Sequence, residues 1–218
     1  MILTIANLKG GSARTTTAMY LASAYTRMGY PVTVVDTDPR ANATKWARKA
    51  EAAGEQLPFP VISHPLPEQV LRDDPDQVHQ LARHDAPGAV TILDTASATP
   101  QIVPAAAKIS DFVLLPFATS PVDYQSTLDT LRTLTVPYAV VMTRVDRRTR
   151  EETELRRRFQ EEGVRVLKTT IPHNEAFNWA YGTTPGDTLY GYAELAEEIQ
   201  AAAQTTEARE AEQLWVRG

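Results

Sequence analysis

A loop rich in glycine and hydroxyl residues stands near the start of the chain, between a short apolar run and a helical pattern. The run at residues 2–6 predicts a buried parallel strand, and the residues from Thr15 onward predict a helix. Between them come Lys9, Gly10, Gly11 and Ser12. Glycines let backbone N–H groups approach an anion, and the first turn of a helix favours negative charge. The stretch therefore predicts a phosphate site, with a threonine hydroxyl available to Mg²⁺.

A glycine pair alone is typical of an ordinary strand–turn–helix connection. Here a lysine, an arginine and two threonines also stand at fixed offsets around the pair. The complete loop consists of Lys9, Gly10, Gly11, Ser12, Ala13, Arg14, Thr15 and Thr16. This combination, in its strand and helix context, favours nucleotide binding over a plain turn.

Composition excludes several classes of protein. The 218 residues are enough for one domain with a substantial core, and 43% of them are hydrophobic. The chain has no cysteine, which excludes disulfides, thiolate metal sites and thiol nucleophiles. No apolar run reaches membrane-spanning length and no signal peptide is evident, so we expect a cytoplasmic protein. A net charge of −5 argues against a uniformly basic surface but allows a local basic patch.

Strand and helix patterns alternate along the chain. Strands are predicted at residues 2–6, 32–35, 89–93, 112–115, 139–142 and 164–167. Helices are predicted at residues 15–28, 41–53, 67–84, 101–109, 122–133, 149–162 and about 190–211. We therefore expect an α/β fold: one domain over residues 1–218, with a mostly parallel twisted sheet and helices on both faces. Residues 58–67, with four prolines, predict only a surface connection.

Three aspartates follow predicted strands, where parallel sheets bind their ligands. Asp36 and Asp38 come after the second strand, and Asp94 comes after the third. Carboxylates so placed can reach a Mg²⁺–nucleotide and an attacking water. The alternative is a polar turn closed by Pro39 and, for Asp94, a helix N-cap. In the company of the glycine loop, we interpret the three as part of a nucleotide site.

These segments together resemble the deviant Walker A ATPases of the ParA/MinD family. The family's loop, K-G-G-x-x-K-T-T, matches residues 9–16, except that Arg14 stands in place of the second lysine. Its D-x-D-P-Q motif resembles residues 36–40, and Asp94 stands at the Walker B position. The resemblance covers the chain from Met1 to about residue 186. It implies a P-loop NTPase-like fold of the SIMIBI type.

The resemblance also implies roles for individual residues. Lys9 would reach the partner's nucleotide across a dimer, Arg14 would hold phosphate, and Asp38 would orient or activate the attacking water. We take Lys9, Asp38 and Arg14 as the catalytic residues. Mg²⁺ would be bound by Thr15, Asp36 and Asp94. ATP would be bound by Lys9, Gly10, Gly11, Ser12, Ala13, Arg14, Thr15 and Thr16, with Arg144 and Pro172 beside the base, although Arg144 is equally consistent with an ordinary surface arginine.

At the level of function, the resemblance implies a ParA-like partition ATPase. MgATP would drive homodimerisation and nonspecific DNA binding, and the ATP-bound protein would associate with the nucleoid. A ParB-like centromere-binding or adaptor protein would stimulate hydrolysis and so drive DNA segregation. Because the first predicted strand begins at Ile2, we expect no N-terminal helix-turn-helix, and the acidic tail at residues 204–218 argues against membrane attachment.

Arg14 leaves alternatives open, because arginine is bulkier and more rigidly forked than lysine. The protein is then either a slow but working ATP hydrolase or a hydrolysis-poor nucleotide-binding scaffold or regulator. A third alternative keeps the ATPase and replaces DNA with another positioned cargo.

Basic residues are concentrated at residues 144–168, which hold nine basic against six acidic side chains. One interpretation is a phosphate-contacting patch for DNA. The other is a solvated helix with i,i+4 ion pairs, such as Glu152 with Arg156 and Glu154 with Arg158.

Overall fold

Seven parallel strands form one sheet in the computed structural model, which describes residues 1–66, 88–96, 102–146 and 148–216. The strands are β1 (Ile2–Ile5), β2 (Val32–Asp36), β3 (Val61–Ser63), β4 (Val90–Asp94), β5 (Phe112–Ala118), β6 (Tyr138–Val145) and β7 (Val166–Pro172). Their order across the sheet is β3-β2-β4-β1-β5-β6-β7, and every pairing is parallel. The predicted mostly parallel α/β sheet is therefore confirmed.

The described helices follow the predicted alternation. They are α1 (Arg14–Arg27), α2 (Asn42–Ala52), α3 (Ile102–Lys108), α4 (Pro121–Leu131), α5 (Glu151–Glu161), α6 (Ala176–Trp179) and α7 (Tyr192–Val216). The helix predicted at residues 67–84 lies outside the described residues. None of the helices within the described part of the chain is long and apolar enough to cross a bilayer.

One prediction about a connection was wrong, and two helices differ from the predicted elements. Residues 58–67 are more than a surface connection, because β3 lies within them and pairs with β2. The short helix α6 had no counterpart among the predicted elements. The last helix begins two residues later than predicted and continues to Val216 instead of ending near residue 211.

Both faces of the sheet are covered, as the alternation of side chains along β5 demonstrates. Phe112 and Leu114 belong to an apolar cluster that includes α1 and α7. Val113 and Leu115 point the other way and join a cluster with α3, α4 and α5. All four side chains are fully buried. A strand buried on both faces reads as a continuous apolar run, which is why these strands were recognisable in the sequence.

The register of the central strands brings the candidate site residues to one edge of the sheet. Asp94, the last residue of β4, is opposite Asp36 of β2 on one side and Ile5 of β1 on the other. The glycine loop leaves the sheet directly after β1. The loop and two of the predicted acids thus meet at the carboxyl edge, where ligands of parallel sheets bind.

The edge strand β7 is covered by a carboxylate from α7. Both oxygens of Glu198 accept backbone N–H groups, from Lys168 at 2.7 Å and from Thr169 at 2.9 Å. Burial raises the pKa of Glu198, but these bonds outweigh it and the pKa lies below its ordinary value. The side chain thereby occupies amide groups that an edge strand otherwise leaves open to pairing.

Replacing Glu198 with glutamine is therefore expected to lower the free energy of unfolding by about 1 kcal/mol at neutral pH, because the site is half-exposed and solvent weakens the two bonds. A lowered folded pKa gives stability that is present above the unfolded pKa and is lost as pH falls through the folded pKa. Urea unfolding at pH 7 and pH 3 measures this. A cost of the same size at both pH values would contradict the prediction.

Candidate functional site

The loop between β1 and α1 has a conformation suited to an anion. Gly11 has φ +78, which favours glycine, and Ala13 precedes the helix at φ 67 and ψ 25. Among the described residues, no side chain caps the start of α1. Its first backbone N–H groups therefore lack side-chain partners, as in sites where a helix N-terminus holds phosphate. Thr15 and Thr16 stand in this first turn and are half-buried.

Asn7 fixes the beginning of the loop, a role that the sequence analysis missed. Its side-chain amide donates to Pro116 O at 2.9 Å and, more weakly, to Thr127 Oγ1 at 3.4 Å. Its Oδ1 accepts the backbone N–H of Lys9 at 2.9 Å. The available signal was a polar residue, 1% exposed in the structure, at the end of an apolar run.

Arg14 is turned toward the protein's own oxygen atoms. Its Nε donates to Thr95 O at 3.0 Å. Its Nη1 lies within hydrogen-bonding distance of three acceptors: Asn7 O, Lys9 O and Ser12 Oγ. Burial lowers the pKa of Arg14, whereas the charges of Asp94 and Asp38 oppose the change, and an arginine so placed stays protonated.

The Lys9 ammonium points toward α4. Its Nζ lies 3.3 Å from Oδ1 of Asp123 in the first turn of that helix. The Lys9 side chain is 46% exposed, so this ion pair contributes only about 0 to 1 kcal/mol. Lys9 is therefore held loosely within its own chain at the rim of the loop.

Asp94 is the most unusual carboxylate of the site. It is 1% exposed, and neither of its oxygens has a hydrogen-bond partner among the described residues. Burial raises its pKa to about 7; the Thr15 hydroxyl opposes the rise but does not reach hydrogen-bonding geometry. Since an unpartnered buried carboxylate is costly, this group fits a cation that contributes the missing interactions.

Asp36 and Asp38 are more fully engaged. Oδ2 of Asp36 accepts both the backbone N–H and the hydroxyl of Thr44, each at 2.8 Å, and thereby anchors the start of α2. Burial raises the pKa of Asp36, and these bonds oppose the rise. Asp38, 6% exposed, accepts only the backbone N–H of Arg40, at 2.9 Å through Oδ1. Its second oxygen makes no bond to the described residues.

A pocket of about 230 Å³ runs from the first turn of α1 to the ends of β6 and β7. Both residues predicted beside the base, Arg144 and Pro172, line it together with Ala13 and Thr16. Arg144 has φ 54, and the pairing of β6 with β7 is irregular around it. Such local distortion re-aims a side chain and is frequent at functional sites.

Aromatic rings support the far wall of this pocket. Phe177 and Tyr192 line it, and the Phe177 ring packs edge-on against Tyr20 with centroids 5.1 Å apart. The Tyr192 hydroxyl is 3.1 Å from Thr17 Oγ1. A larger groove of about 940 Å³ lies along the end of α2 and residues 54–60, but none of the predicted site residues line it.

The basic segment at residues 144–168 contains both ion pairs that were anticipated. Arg156 Nε is 2.6 Å from Glu152 Oε1, and Arg158 Nε is 3.0 Å from Glu154 Oε1. Further pairs join Arg157 to Glu154 and Glu161, and Arg148 to Asp146. Four exposed cations form no ion pair with the described carboxylates: Arg144, which lines the pocket, and Arg150, Arg165 and Lys168. Much of the positive charge is thus neutralised within the chain.

The sequence matches one family model and is similar to several known proteins. The model of the CobQ/CobB/MinD/ParA nucleotide binding domain matches residues 3–184. Protein ParA of Rhizobium radiobacter is 27% identical over 222 residues, covering 95% of this chain and 93% of that protein. The chromosome-partitioning ATPase Soj of Thermus thermophilus is 30% identical, covering 93% and 96%. The maintenance of carboxysome distribution protein A of Gloeobacter kilaueensis is 31% identical, covering 83% and 77%.

Solved structures share the fold. The cell division ATPase MinD of Pyrococcus furiosus superposes with a TM-score of 0.70 at 20% identity, covering 92% of this chain and 98% of that one. A plasmid partition protein of Borrelia burgdorferi bound to AMPPNP gives 0.68 at 19% identity, covering 94% and 98%. MinD of Pyrococcus horikoshii, in complex with Mg-ADP, gives 0.67 at 17% identity, covering 91% and 95%. At these identities the superpositions establish a shared fold.

Proposed function

Because the chain belongs to the CobQ/CobB/MinD/ParA nucleotide-binding family, we propose that it is a ParA-like ATPase that binds MgATP, dimerises and hydrolyses the nucleotide. The observation that carries the proposal is the meeting of three features at one edge of the sheet. These are an uncapped helix N-terminus behind a glycine loop, an unpartnered buried Asp94, and a pocket from Thr16 to Arg144 and Pro172.

The phosphates would lie on the first turn of α1, held by the loop's N–H groups and by the hydroxyls of Thr15 and Thr16. Mg²⁺ keeps several waters and is usually bound by one or two carboxylates together with phosphate oxygens. The Asp94 carboxylate and the Thr15 hydroxyl fit that requirement. Asp36 would act from further away, since its oxygens already bind Thr44 and the N–H of Asp38. The ion would neutralise charge that develops on the phosphates.

Hydrolysis would depend on positioning and charge. Asp38 has one oxygen that makes no bond to the described residues, and this oxygen would orient the attacking water. Lys9 would leave Asp123 and reach the nucleotide of the partner subunit, because the ion pair that holds it is weak. The base would lie between Arg144 and Pro172, with a guanidinium plane available for stacking.

The cargo we propose is DNA. One relative is named a chromosome-partitioning ATPase and one solved neighbour a plasmid partition protein, and chromosomes and plasmids are DNA. In a dimer, two copies of the unpaired cations Arg150, Arg165 and Lys168 would give a salt-sensitive, sequence-independent contact with phosphates. A ParB-like centromere-binding or adaptor protein would stimulate hydrolysis, and the ATP form would associate with the nucleoid. The carboxysome distribution relative supports a second candidate, the positioning of a non-DNA cargo by the same switch.

Light scattering tests the central step of this proposal. We expect the solution mass to double with MgATP and to remain monomeric without nucleotide or with MgADP. Lys9→Ala is expected to bind MgATP but to stay monomeric, because the partner's nucleotide would lose its cross-subunit cation. Lys108→Ala is the matched control, since that exposed lysine ends α3 just before β5 begins, at the opposite edge of the sheet.

Two other outcomes would count against the proposal. A dimer that forms equally well without nucleotide favours the scaffold alternative. If Lys9→Ala dimerises with MgATP as the wild type does, Lys9 is not required at the dimer interface.

Co-sedimentation with DNA and MgATP at two salt concentrations then tests whether the cargo is DNA. Binding that is insensitive to salt argues against a phosphate-contacting patch.

A further inference from the structure

The phosphate loop of this protein is tied to the turn after β4 by a single side chain. Arg14 starts α1, and its Nη1 binds the carbonyl oxygens of Asn7 and Lys9. Its Nε crosses to Thr95 O, which belongs to a segment 81 residues away in the sequence. Arg14 is 9% exposed, so these bonds lie in a region largely closed to water, where they are strong.

The residue next to Arg14 is strained. Ala13 has φ 67 and ψ 25, the left-handed region that a residue with a Cβ avoids. Its carbonyl nevertheless accepts the first helical bond of α1, from Thr17 N at 2.8 Å. Such strain persists only when the surrounding structure enforces it. The bonds of Arg14 are the contacts best placed to do so, because they join the residue directly after Ala13 to acceptors on Asn7, Lys9 and Ser12 before it.

A lysine at position 14 would not replace these bonds. Its ammonium is a single compact centre, whereas a guanidinium has donors on several sides of a rigid plane. Only the guanidinium can bind the loop with one nitrogen and the Thr95 carbonyl with another while a third stays available. Nη2 is that third nitrogen, since no bond to the described residues uses it.

We propose that Arg14 is a positioning residue that holds the strained loop in its phosphate-binding shape before nucleotide arrives and links that loop to the turn carrying Thr95. The proposal rests on the proposed nucleotide site and adds a function that lysine in the same position would lack. In the bound state Nη2 meets a phosphate oxygen while Nε keeps its bond to Thr95. Occupancy of the loop is thereby communicated to the end of β4, where Asp94 lies.

Three variants test this assignment together with a matched control. Arg14→Lys keeps the positive charge but removes the guanidinium with its several donors, and Ala13→Gly removes the backbone strain. The third variant combines both changes. Arg27→Lys is the control, because Arg27 also donates to three backbone carbonyls, those of Pro185, Gly186 and Asp187, at a site remote from the loop.

The first measurement is hydrogen exchange without nucleotide. Arg14→Lys is expected to accelerate exchange in the segment 88–96 by about tenfold, because losing one strong buried bond shifts local opening by that factor. Arg27→Lys should leave this segment unchanged. Equal exchange in Arg14→Lys and in Arg27→Lys would overturn the link to Thr95, whether or not the protein binds nucleotide.

The second measurement is the affinity for MgADP. We expect Arg14→Lys to bind MgADP about tenfold more weakly than wild type, a factor comparable to the cost of one left-handed alanine. The double variant should recover most of the loss, because glycine adopts the left-handed conformation without steric cost and the loop then needs less enforcement by residue 14. Undiminished binding by Arg14→Lys, or a double variant no better than Arg14→Lys, would overturn the positioning role. Failure of wild type to bind MgADP or MgATP would instead overturn the proposed function.

Discussion

Asp94→Asn is expected to stabilise the nucleotide-free and metal-free protein by about 2 kcal/mol at pH 8. Burial raises the pKa of Asp94 from its ordinary value of 3.8 to about 7, and each pKa unit corresponds to about 1.36 kcal/mol. Keeping this carboxylate ionised therefore costs up to about 4 kcal/mol. The new amide recovers only part of that, since its own unpaired N–H₂ costs about 1 to 3 kcal/mol. The measurement is urea unfolding of both proteins.

The pH dependence has a definite sign. Between pH 3.8 and about 7, the folded state binds more protons at Asp94 than the unfolded state does, so the contribution of Asp94 to stability falls as pH rises. The advantage of Asp94→Asn should be absent near pH 4, grow through pH 5 and 6, and become constant above pH 7. Glu198→Gln is the control with the opposite sign, because the pKa of Glu198 is lowered. A variant less stable than wild type at pH 8 would contradict the prediction.

The same substitution is expected to act in the opposite direction on metal-dependent binding. Removing the Asp94 carboxylate, which is buried and has no partner among the described residues, should weaken MgADP binding by at least about tenfold, while affinity for ADP in the presence of a chelator changes little. A protein that becomes more stable and loses its magnesium-dependent affinity has lost a group kept for function. If both proteins bind ADP equally well with and without Mg²⁺, Asp94 is not a ligand of the metal.

The sheet and the acids at its edge could be predicted because each is encoded locally. A strand buried on both faces reads as an apolar run, and an aspartate at its end is visible without knowledge of the fold. Parallel pairing then places strand ends side by side, as Asp36 and Asp94 are. The strand β3 escaped prediction because it has three residues, two of them exposed, and becomes a strand only by pairing with β2.

Side-chain directions within the site could not be predicted from the sequence. Arg14 was expected to face phosphate, but its bonds join segments that only the fold brings together, including Thr95. The ion pair of Lys9 with Asp123 likewise depends on the approach of α4 to the loop. Asn7 binds the backbone of β5, and the sequence analysis assigned it no role. The motifs thus identified residues that lie close together, whereas the partners that each side chain binds depend on tertiary contacts.

Asp38→Asn is expected to reduce MgATP hydrolysis by about 100-fold or more, while MgATP binding and dimerisation persist. Asp38 Oδ1 is already used by the backbone N–H of Arg40, and asparagine retains that bond. The free oxygen is the one that would accept a hydrogen bond from the attacking water, and in asparagine that position becomes an uncharged donor. The loss should therefore appear in the single-turnover rate and leave the dissociation constant nearly unchanged.

The control for this variant is Asp129→Asn, because Asp129 is an exposed carboxylate on α4 whose partners among the described residues are Gln125 and Arg132, directly after the helix. Hydrolysis by Asp38→Asn at the rate of this control would mean that another group orients the water. If wild type forms the MgATP dimer but hydrolyses ATP no faster than Asp38→Asn, Asp38 is present without supporting hydrolysis. That result would favour the hydrolysis-poor nucleotide-binding scaffold. Arg14 is then the remaining departure from the family loop, so the turnover of Arg14→Lys is the next measurement. Recovered hydrolysis would show that arginine at position 14 limits the rate of hydrolysis, and unchanged turnover would show that it does not.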